Sequence, residues 1–163
     1  SKKEKVTFSL VNKVVNWFVA RGYAAKRPGH YELITPAAVF NLFPLYRTMK
    51  PYAAFDVNLP KNKVLAMIKG RGTLCLTSAL GYFDDYYRDP AIHAYSEDEK
   101  LLEELKNANK GYTHVELYKE DLNGGDAVKK NGLRITSKTR TVIDLFCANR
   151  AYAAERLIKR EWI

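Results

Sequence analysis

A chain of 163 residues that is 47% apolar and carries a net charge of +9 has the length of one ordinary domain, or of a small module joined to a larger one, with enough apolar content for a sizeable core. No apolar run approaches the ~20 residues a membrane helix needs, and no basic start followed by an apolar stretch marks a secretory signal, so a membrane protein is not expected and a cytoplasmic one is. Cys75 and Cys147 lie far apart outside any Cys-x-x-Cys pair, and His30, His93 and His114 lack metal-ligand spacing, so the expectation is buried reduced thiols, no metal and no other cofactor.

The charge is unevenly placed. Residues 1–71 hold 13 Lys or Arg against 3 Asp or Glu, residues 72–128 hold 5 against 12, and residues 129–163 hold 9 against 3. Basic ends flank an acidic middle. Basic segments attract polyanions, of which nucleic acid is the commonest; a solvated basic face with no partner gives the same count. Ser rather than Met at position 1 is compatible with processing, and so with residues upstream.

Residues 1–5 are charged and expected to fray. Val6 to Arg21 reads as a helix, with Phe8, Val11, Val14, Val15, Phe18 and Val19 in one apolar stripe and Asn12, Lys13, Asn16 and Arg21 outside it. Gly22 is its expected stop. Pro28-Gly29 is a strong turn former, so the next segment reads as two short strands with Lys26 and Arg27 near the tip. A helix followed by a basic-tipped hairpin is the back half of a winged helix, in which the helix can enter the major groove and the wing can touch phosphate. Asn12, Lys13, Asn16, Lys26 and Arg27 are therefore the candidate DNA-binding residues. A complete winged helix has two further helices before this one; either they are absent, and dimerisation or another element replaces them, or the chain is a fragment.

Pro36 opens a second helix with Val39, Phe40, Phe43, Leu45 and Tyr46, which Pro44 kinks or ends. Residues 53–59 read as extended. A short helix with Val64, Leu65, Met67 and Ile68 follows Pro60 and is broken by Gly70-Arg71-Gly72, which lacks both phosphate-loop strings and reads as a turn between helices. Thr73 to Tyr87 reads as one helix, with Leu74, Leu76, Ala79, Leu80 and Phe83 at helical spacing. Tyr82 to Pro90 packs four aromatics and three Asp into nine residues. Exposed Tyr is favoured at protein interfaces; a helix end packing its rings on the core is the plainer outcome.

Ala91 to Ser96 reads as a strand and Glu97 to Asn109 as a helix capped by Ser96, with Leu101, Leu102 and Leu105 inside. Thr113 to Lys119 alternates as a strand, Val115 and Leu117 on one side and His114, Glu116 and Tyr118 on the other. Gly124-Gly125 marks a loop. Leu133 and Ile135 then form a short strand, Thr136 or Ser137 caps a helix, and Val142, Leu145 and Phe146, widened by Ile143, give that helix its apolar face. Arg140 and Asp144 stand four apart on it, a pair worth a few tenths of a kcal/mol if exposed. Arg150 to Ile163 is a last helix with Tyr152, Ala153, Leu157, Ile158 and Trp162 inward and Arg156, Lys159 and Arg160 outward. The fold class is mixed α/β (α+β): a partial winged-helix-like helix plus hairpin, then a small mixed sheet packed with helices.

Two strings carry a family resemblance. Ile135-Thr136-Ser137 running into Arg140-Thr141 and Asp144-Leu145 resembles the AbiEi family of antitoxins, in which a Gly-apolar-x-Val/Ile-Thr-Ser strand enters a helix with Arg-Thr-apolar-apolar-Asp-Leu. Leu76-Thr77-Ser78-Ala79-Leu80-Gly81 resembles a second family string, and Arg27, Gly29 and Tyr31 loosely follow the family's wing. The resemblance covers most of residues 10–150 in order of elements. It implies a non-enzymatic antitoxin of a type IV, abortive-infection toxin–antitoxin system, with a winged-helix-like segment over residues 1–50 that binds operator DNA as an autoregulator. An antitoxin-like α/β domain over 51–163 would neutralise a nucleotidyltransferase-like toxin without an obligatory stable complex. A homodimer is among the assemblies this allows. Ser78, Arg134, Thr136, Ser137, Lys138, Arg140 and Asp144 are the implied antitoxin-domain motif, and its basic members suggest a nucleotide- or RNA-facing groove. Two other readings stand beside it. A metal-dependent nuclease would use Asp84 or Asp85 with Asp98-x-Lys100, although acids are favoured at a helix start in any case. A non-catalytic interaction domain would use the Tyr-rich patch.

Overall fold

The computed structural model describes residues 6–121 and 126–163; the expected Gly124-Gly125 loop and the expected fraying of residues 1–5 lie outside them. The chain begins with helix α1 (Phe8–Ala20), which Thr7 caps by accepting from the Leu10 N–H. It stops at Gly22, whose φ of +72° is open to glycine without strain. Strands β1 (Ala24–Arg27) and β2 (His30–Leu33) form the hairpin around Pro28-Gly29. The extent of α1 follows its periodicity, but its apolar stripe is not enclosed: α1 has no buried residue, Val15, Phe18 and Val19 are half-buried, and Phe8 is 85% exposed. Trp17, Phe18 and Tyr23 pack on one another with ring centroids 5.6–6.3 Å apart and tie α1 to the hairpin.

Pro36 does open α2 (Pro36–Phe40), and a 3-10 turn over Phe43–Leu45 carries Pro44. Strand β3 (Ala53–Val57) and helix α3 (Lys61–Ile68) come next. The Gly70-Arg71-Gly72 turn then leads into a strand, not a helix. The stretch expected as one helix from Thr73 to Tyr87 divides into β4 (Thr73–Leu74) and a short α4 (Leu76–Leu80). The break falls at Leu76, a buried non-glycine residue with φ of +48°, a conformation that costs about 1–3 kcal/mol and is held by its surroundings. Leu74 belongs to the strand although its spacing fits the helix.

Strand β5 (Ile92–Tyr95), helix α5 (Glu99–Asn107) and strand β6 (Thr113–Tyr118) follow. Asp98 rather than Ser96 caps α5, accepting from Leu101 N–H at 2.7 Å; the Ser96 hydroxyl donates to the Arg71 carbonyl instead. The turn into β6 demands glycine: a Cβ on Gly111 would stand 2.1 Å from the Val57 backbone. Strands β7 (Val128–Lys130) and β8 (Leu133–Ile135) and helices α6 (Lys138–Cys147) and α7 (Ala151–Trp162) complete the chain. On α7, Ala153, Leu157 and Ile158 are buried as expected, but Tyr152 is 66% exposed.

The six strands form one mixed sheet in the order β3-β6-β5-β4-β8-β7. β5–β6 and β4–β8 are parallel, and the other neighbours are antiparallel. Alternation along the strands gives each face its own core. Ile92, Ala94, Val115 and Leu117 pack with Val64, Ile68, Leu101 and Leu105 from α3 and α5. The opposite face carries Tyr95 and Tyr118, which join Phe40, Leu145, Phe146 and Leu157 from α2, α6 and α7, and Met49 from the segment before β3. His93 and Glu116 lie on this second face, because they alternate with Ile92, Ala94, Val115 and Leu117. Cys75 and Cys147 are buried and unpaired. Among the described residues no helix is long and apolar enough to cross a membrane.

Candidate functional site

The helix-and-hairpin unit presents the five candidate DNA-binding residues to solvent. Asn12, Lys13 and Asn16 are exposed on α1, and Lys26 and Arg27 are exposed on β1. Asn16 donates to Asn12 at 3.4 Å, so the two amides share one polar strip. Arg27 pairs with Glu32 across the hairpin at 2.7 Å, which offsets part of its charge. Below α1 lies an apolar hollow of 310 Å³ lined by Val14, Trp17 and Phe18 on one side and Val39, Leu42, Phe43 and Tyr46 on the other.

Of the motif residues of the α/β body, Thr136, Arg140 and Asp144 are buried, Ser78 and Ser137 are half-buried, and Arg134 and Lys138 are exposed. Backbone extension in β8 places Thr136 N–H on the Leu74 carbonyl at 2.9 Å, and the buried Thr136 hydroxyl meets that of Thr141 at 2.7 Å. Ser137, not Thr136, caps α6: its hydroxyl accepts from the Arg140 N–H at 3.2 Å and donates to Asp126 at 2.7 Å. Lys138 reaches Glu161 of α7 at 2.6 Å. Ser78 accepts from the His93 N–H at 2.9 Å and so joins α4 to β5. Arg134 is exposed and lines a hollow of 170 Å³ with Gly70, Arg71, Glu97 and Glu120.

Arg140 and Asp144 do not face a groove. They are 5% and 0% exposed and paired at 2.8 Å. Removing one partner of such a buried pair costs about 3–5 kcal/mol, far above the few tenths expected of a surface pair. Helix spacing brings them together, and tertiary packing adds the rest. Arg47, from the segment after the 3-10 turn, donates to the same Asp144 oxygen at 2.7 Å. The Tyr95 hydroxyl accepts from Arg47 at 2.6 Å and from Arg140 at 2.9 Å, and the Arg140 guanidinium lies 5.0 Å from the Tyr95 ring centre. Asp121 bridges the two arginines from the solvent side.

Burial pushes the Asp144 carboxyl up, against the pull of Arg140 and Arg47. Burial likewise pushes the Tyr95 phenol well up, and Asp144 adds to it. Asp121 goes the other way: burial alone would raise it, but the hydrogen bond and charge of Arg47, with Arg140, hold it below the usual carboxylate range. The other oxygen of Asp144, Oδ2, is buried and has no hydrogen-bond partner among the described residues, a cost the pairing at Oδ1 has to offset.

A second cluster sits one strand-step away on the same face. His93 is fully buried, with Nε2 2.9 Å from Nη1 of Arg150. A guanidinium can only donate, so Nε2 accepts and the ring proton sits on Nδ1. Nδ1 lies 2.9 Å from Oε2 of Glu116, outside hydrogen-bond alignment. Burial and then Arg150 lower the His93 pKa, against Glu116 and Asp89, so the ring is neutral at pH 7. Asp89 closes the cluster through Thr77 at 2.9 Å and the Ala91 N–H at 2.9 Å. The Tyr118 ring links both clusters, 6.2 Å from His93 and 6.3 Å from Tyr95.

The carboxylates considered for a nuclease serve their own elements. Asp84 is buried, accepts from the Tyr86 N–H at 3.0 Å and lies 3.5 Å from Arg156; Asp98 caps α5. Among the described residues no group of three His, Cys, Asp or Glu is placed to hold a metal ion. Arg47, Tyr95, Asp121, His93, Glu116 and Arg150 were missing from the candidate residues. The alternation of β6, which puts Glu116 with His114 and Tyr118, was the one local signal for any of them. Comparison with protein families, curated proteins and solved structures finds no match to this chain.

Proposed function

We propose that this chain is an antitoxin of the AbiEi type that also reads operator DNA. The observation that carries this reading is the two-part build. A helix with no buried residue and a hairpin bearing Lys26 and Arg27 stand outside both cores, which supports reading them as a nucleic-acid-binding unit. The α/β body is organised by Thr136, Ser137, Arg140, Thr141 and Asp144, the residues of the string that resembles the family. In this reading α1 meets the major groove through Asn12, Lys13 and Asn16, and Lys26 with Arg27 contacts phosphate. The body neutralises a nucleotidyltransferase-like toxin in the cytoplasm without catalysis of its own.

Fluorescence anisotropy on DNA from upstream of the chain's own gene and on scrambled DNA, at two salt concentrations, tests the DNA half. Preference for the upstream DNA that is lost in Lys26→Ala/Arg27→Ala supports it. Equal binding to both DNAs that fades steeply with salt leaves only a basic surface at work, and operator reading is then wrong. Protection of growth against a co-expressed toxin tests the antitoxin half separately.

One observation favours a second reading, a non-catalytic interaction domain. Tyr86 and Tyr152 are 75% and 66% exposed, Arg156 lies 4.4 Å from the Tyr86 ring centre, and Tyr87 meets Tyr152 with hydroxyls 3.4 Å apart. Exposed Tyr and Arg together are the composition of protein contacts.

A further inference from the structure

Two arginines aim three N–H groups at one carboxylate. Nε and Nη2 of Arg47 donate to the two oxygens of Asp121, the second at 3.1 Å, and Nη2 of Arg140 donates to Oδ1 at 2.9 Å. The side chain of Asp121 is 44% exposed, while those of Arg47 and Arg140 are 12% and 5% exposed. The anion therefore sits on the solvent side and the cations form the wall behind it. Both guanidiniums are also fixed from within. Asp144 Oδ1 accepts from each, and so does the Tyr95 hydroxyl. They would keep their positions without Asp121. Beside Arg47 and Asp121 lies a hollow of 250 Å³ whose lining also includes Lys50, Tyr52, Tyr95 and Lys119; Arg140 does not line it and stands behind Asp121. Lys50 and Lys119 bring two further cations to it.

A carboxylate offers two oxygens to these three donors. A terminal phosphate offers three oxygens and a charge of about −2, and arginine forks match it in geometry. We propose that Arg47 and Arg140 form a site for the terminal phosphate of a small phosphorylated ligand, and that Asp121 fills it in the free protein as a built-in competitor. The partly exposed phenol ring of Tyr52 stands beside the hollow, so a nucleoside attached to the phosphate would have apolar surface to lie on. The site goes beyond the regulator reading and stands or falls independently of it.

Calorimetric titration of the full chain with ATP and, separately, with inorganic tripolyphosphate, at constant ionic strength, tests this. Asp121→Asn keeps the shape and removes the competing charge. It is expected to bind about tenfold or more tightly than the unaltered chain. Adding Arg47→Met should abolish that gain, and Lys119→Ala, a surface change that spares the Asp144 network, should weaken it severalfold. Circular dichroism and a thermal melt show which variants are folded. Tighter binding of ATP than of tripolyphosphate assigns the site to nucleotides, and equal binding assigns it to the phosphate chain alone; either keeps the arginine fork. The proposal is overturned if Asp121→Asn binds neither ligand more tightly than the unaltered chain. It is also overturned if Lys119→Ala and a folded Asp121→Asn/Arg47→Met both bind as Asp121→Asn does.

Discussion

His93 and His114 lie on neighbouring strands and titrate in opposite senses. His93 is depressed below its ordinary 6.5 by burial and by Arg150. Below pH 6.5 the unfolded chain takes up a proton at this residue and the native chain does not, so stability falls as pH falls, by up to about 1.4 kcal/mol per pH unit. His114 is raised, first by its hydrogen bond to Asp56 at 2.7 Å. Its contribution is complete below pH 6.5 and is lost as pH rises through its folded pKa. The two together place the histidine-linked optimum near pH 6.5. Urea unfolding at about pH 5.5, 6.5 and 7.5 should show it, with His93→Gln flattening the acid side and His114→Gln the alkaline side. An unaltered chain more stable at about pH 5.5 than at 6.5 would contradict this assignment. None of it was legible at the residue level beforehand. A histidine flanked by Ile92 and Ala94 carries no local mark of Arg150, which is 57 positions away. Arg47, Tyr95 and Asp121 escaped for the same reason: helix spacing shows Arg140 and Asp144 to each other, but nothing along the chain shows them the three groups that complete their network.

Elements whose apolar pattern had a single physical reading came through well. The alternation of β6, the Pro-Gly hairpin and the amphipathic repeat of α5 and α7 all give the observed structure within a few residues. Where two readings shared a pattern, local spacing misled. Leu74, Leu76, Ala79 and Leu80 fit a continuous helix, yet the chain bends at Leu76 because Leu74 has to reach both β5 and β8. Strand β7 was missed because all three of its residues are exposed at the sheet edge and carry no alternation. Helix α6 was read correctly from its cap, and the cap is the place to test it. Ser137→Ala removes the acceptor of the Arg140 N–H and the bond to Asp126. A loss of about 0.5–2 kcal/mol is expected, measured by denaturant unfolding, with Ser137→Gly losing less. A change under a few tenths for both variants would mean that tertiary contacts alone fix the start of α6.

For the whole molecule, stability is unevenly distributed. Both buried clusters draw on residues from Phe40 onward, and none of α1 enters either. Native-state hydrogen exchange should find α1 opening at far lower free energy than β5, β6 and α6, whose amides lie among fully buried side chains. If α1 amides exchanged as slowly as those of β5, an apolar partner would have to cover the exposed face of Phe8, Val11 and Val14. The same contrast explains what the charge count could and could not indicate. The basic start of the chain is largely its solvent-exposed unit, whereas the basic end supplies Arg140 and Arg150 to the interior, where they answer carboxylates of the acidic middle.

The narrow centre of the sheet has a bearing on how the chain emerges during synthesis. Strands β3, β4, β5 and β6 are all made before residue 119, but β4 must wait for β8, and Thr73 pairs with Arg134. At about 5–20 residues per second, the stretch from Tyr118, where β6 ends, to Arg134 takes on the order of 1–3 seconds. For that time a nascent four-stranded sheet has an unfinished edge, the circumstance in which chains stick to one another. β4 is only two residues long, so the open edge offers too little backbone for a neighbouring strand to template on.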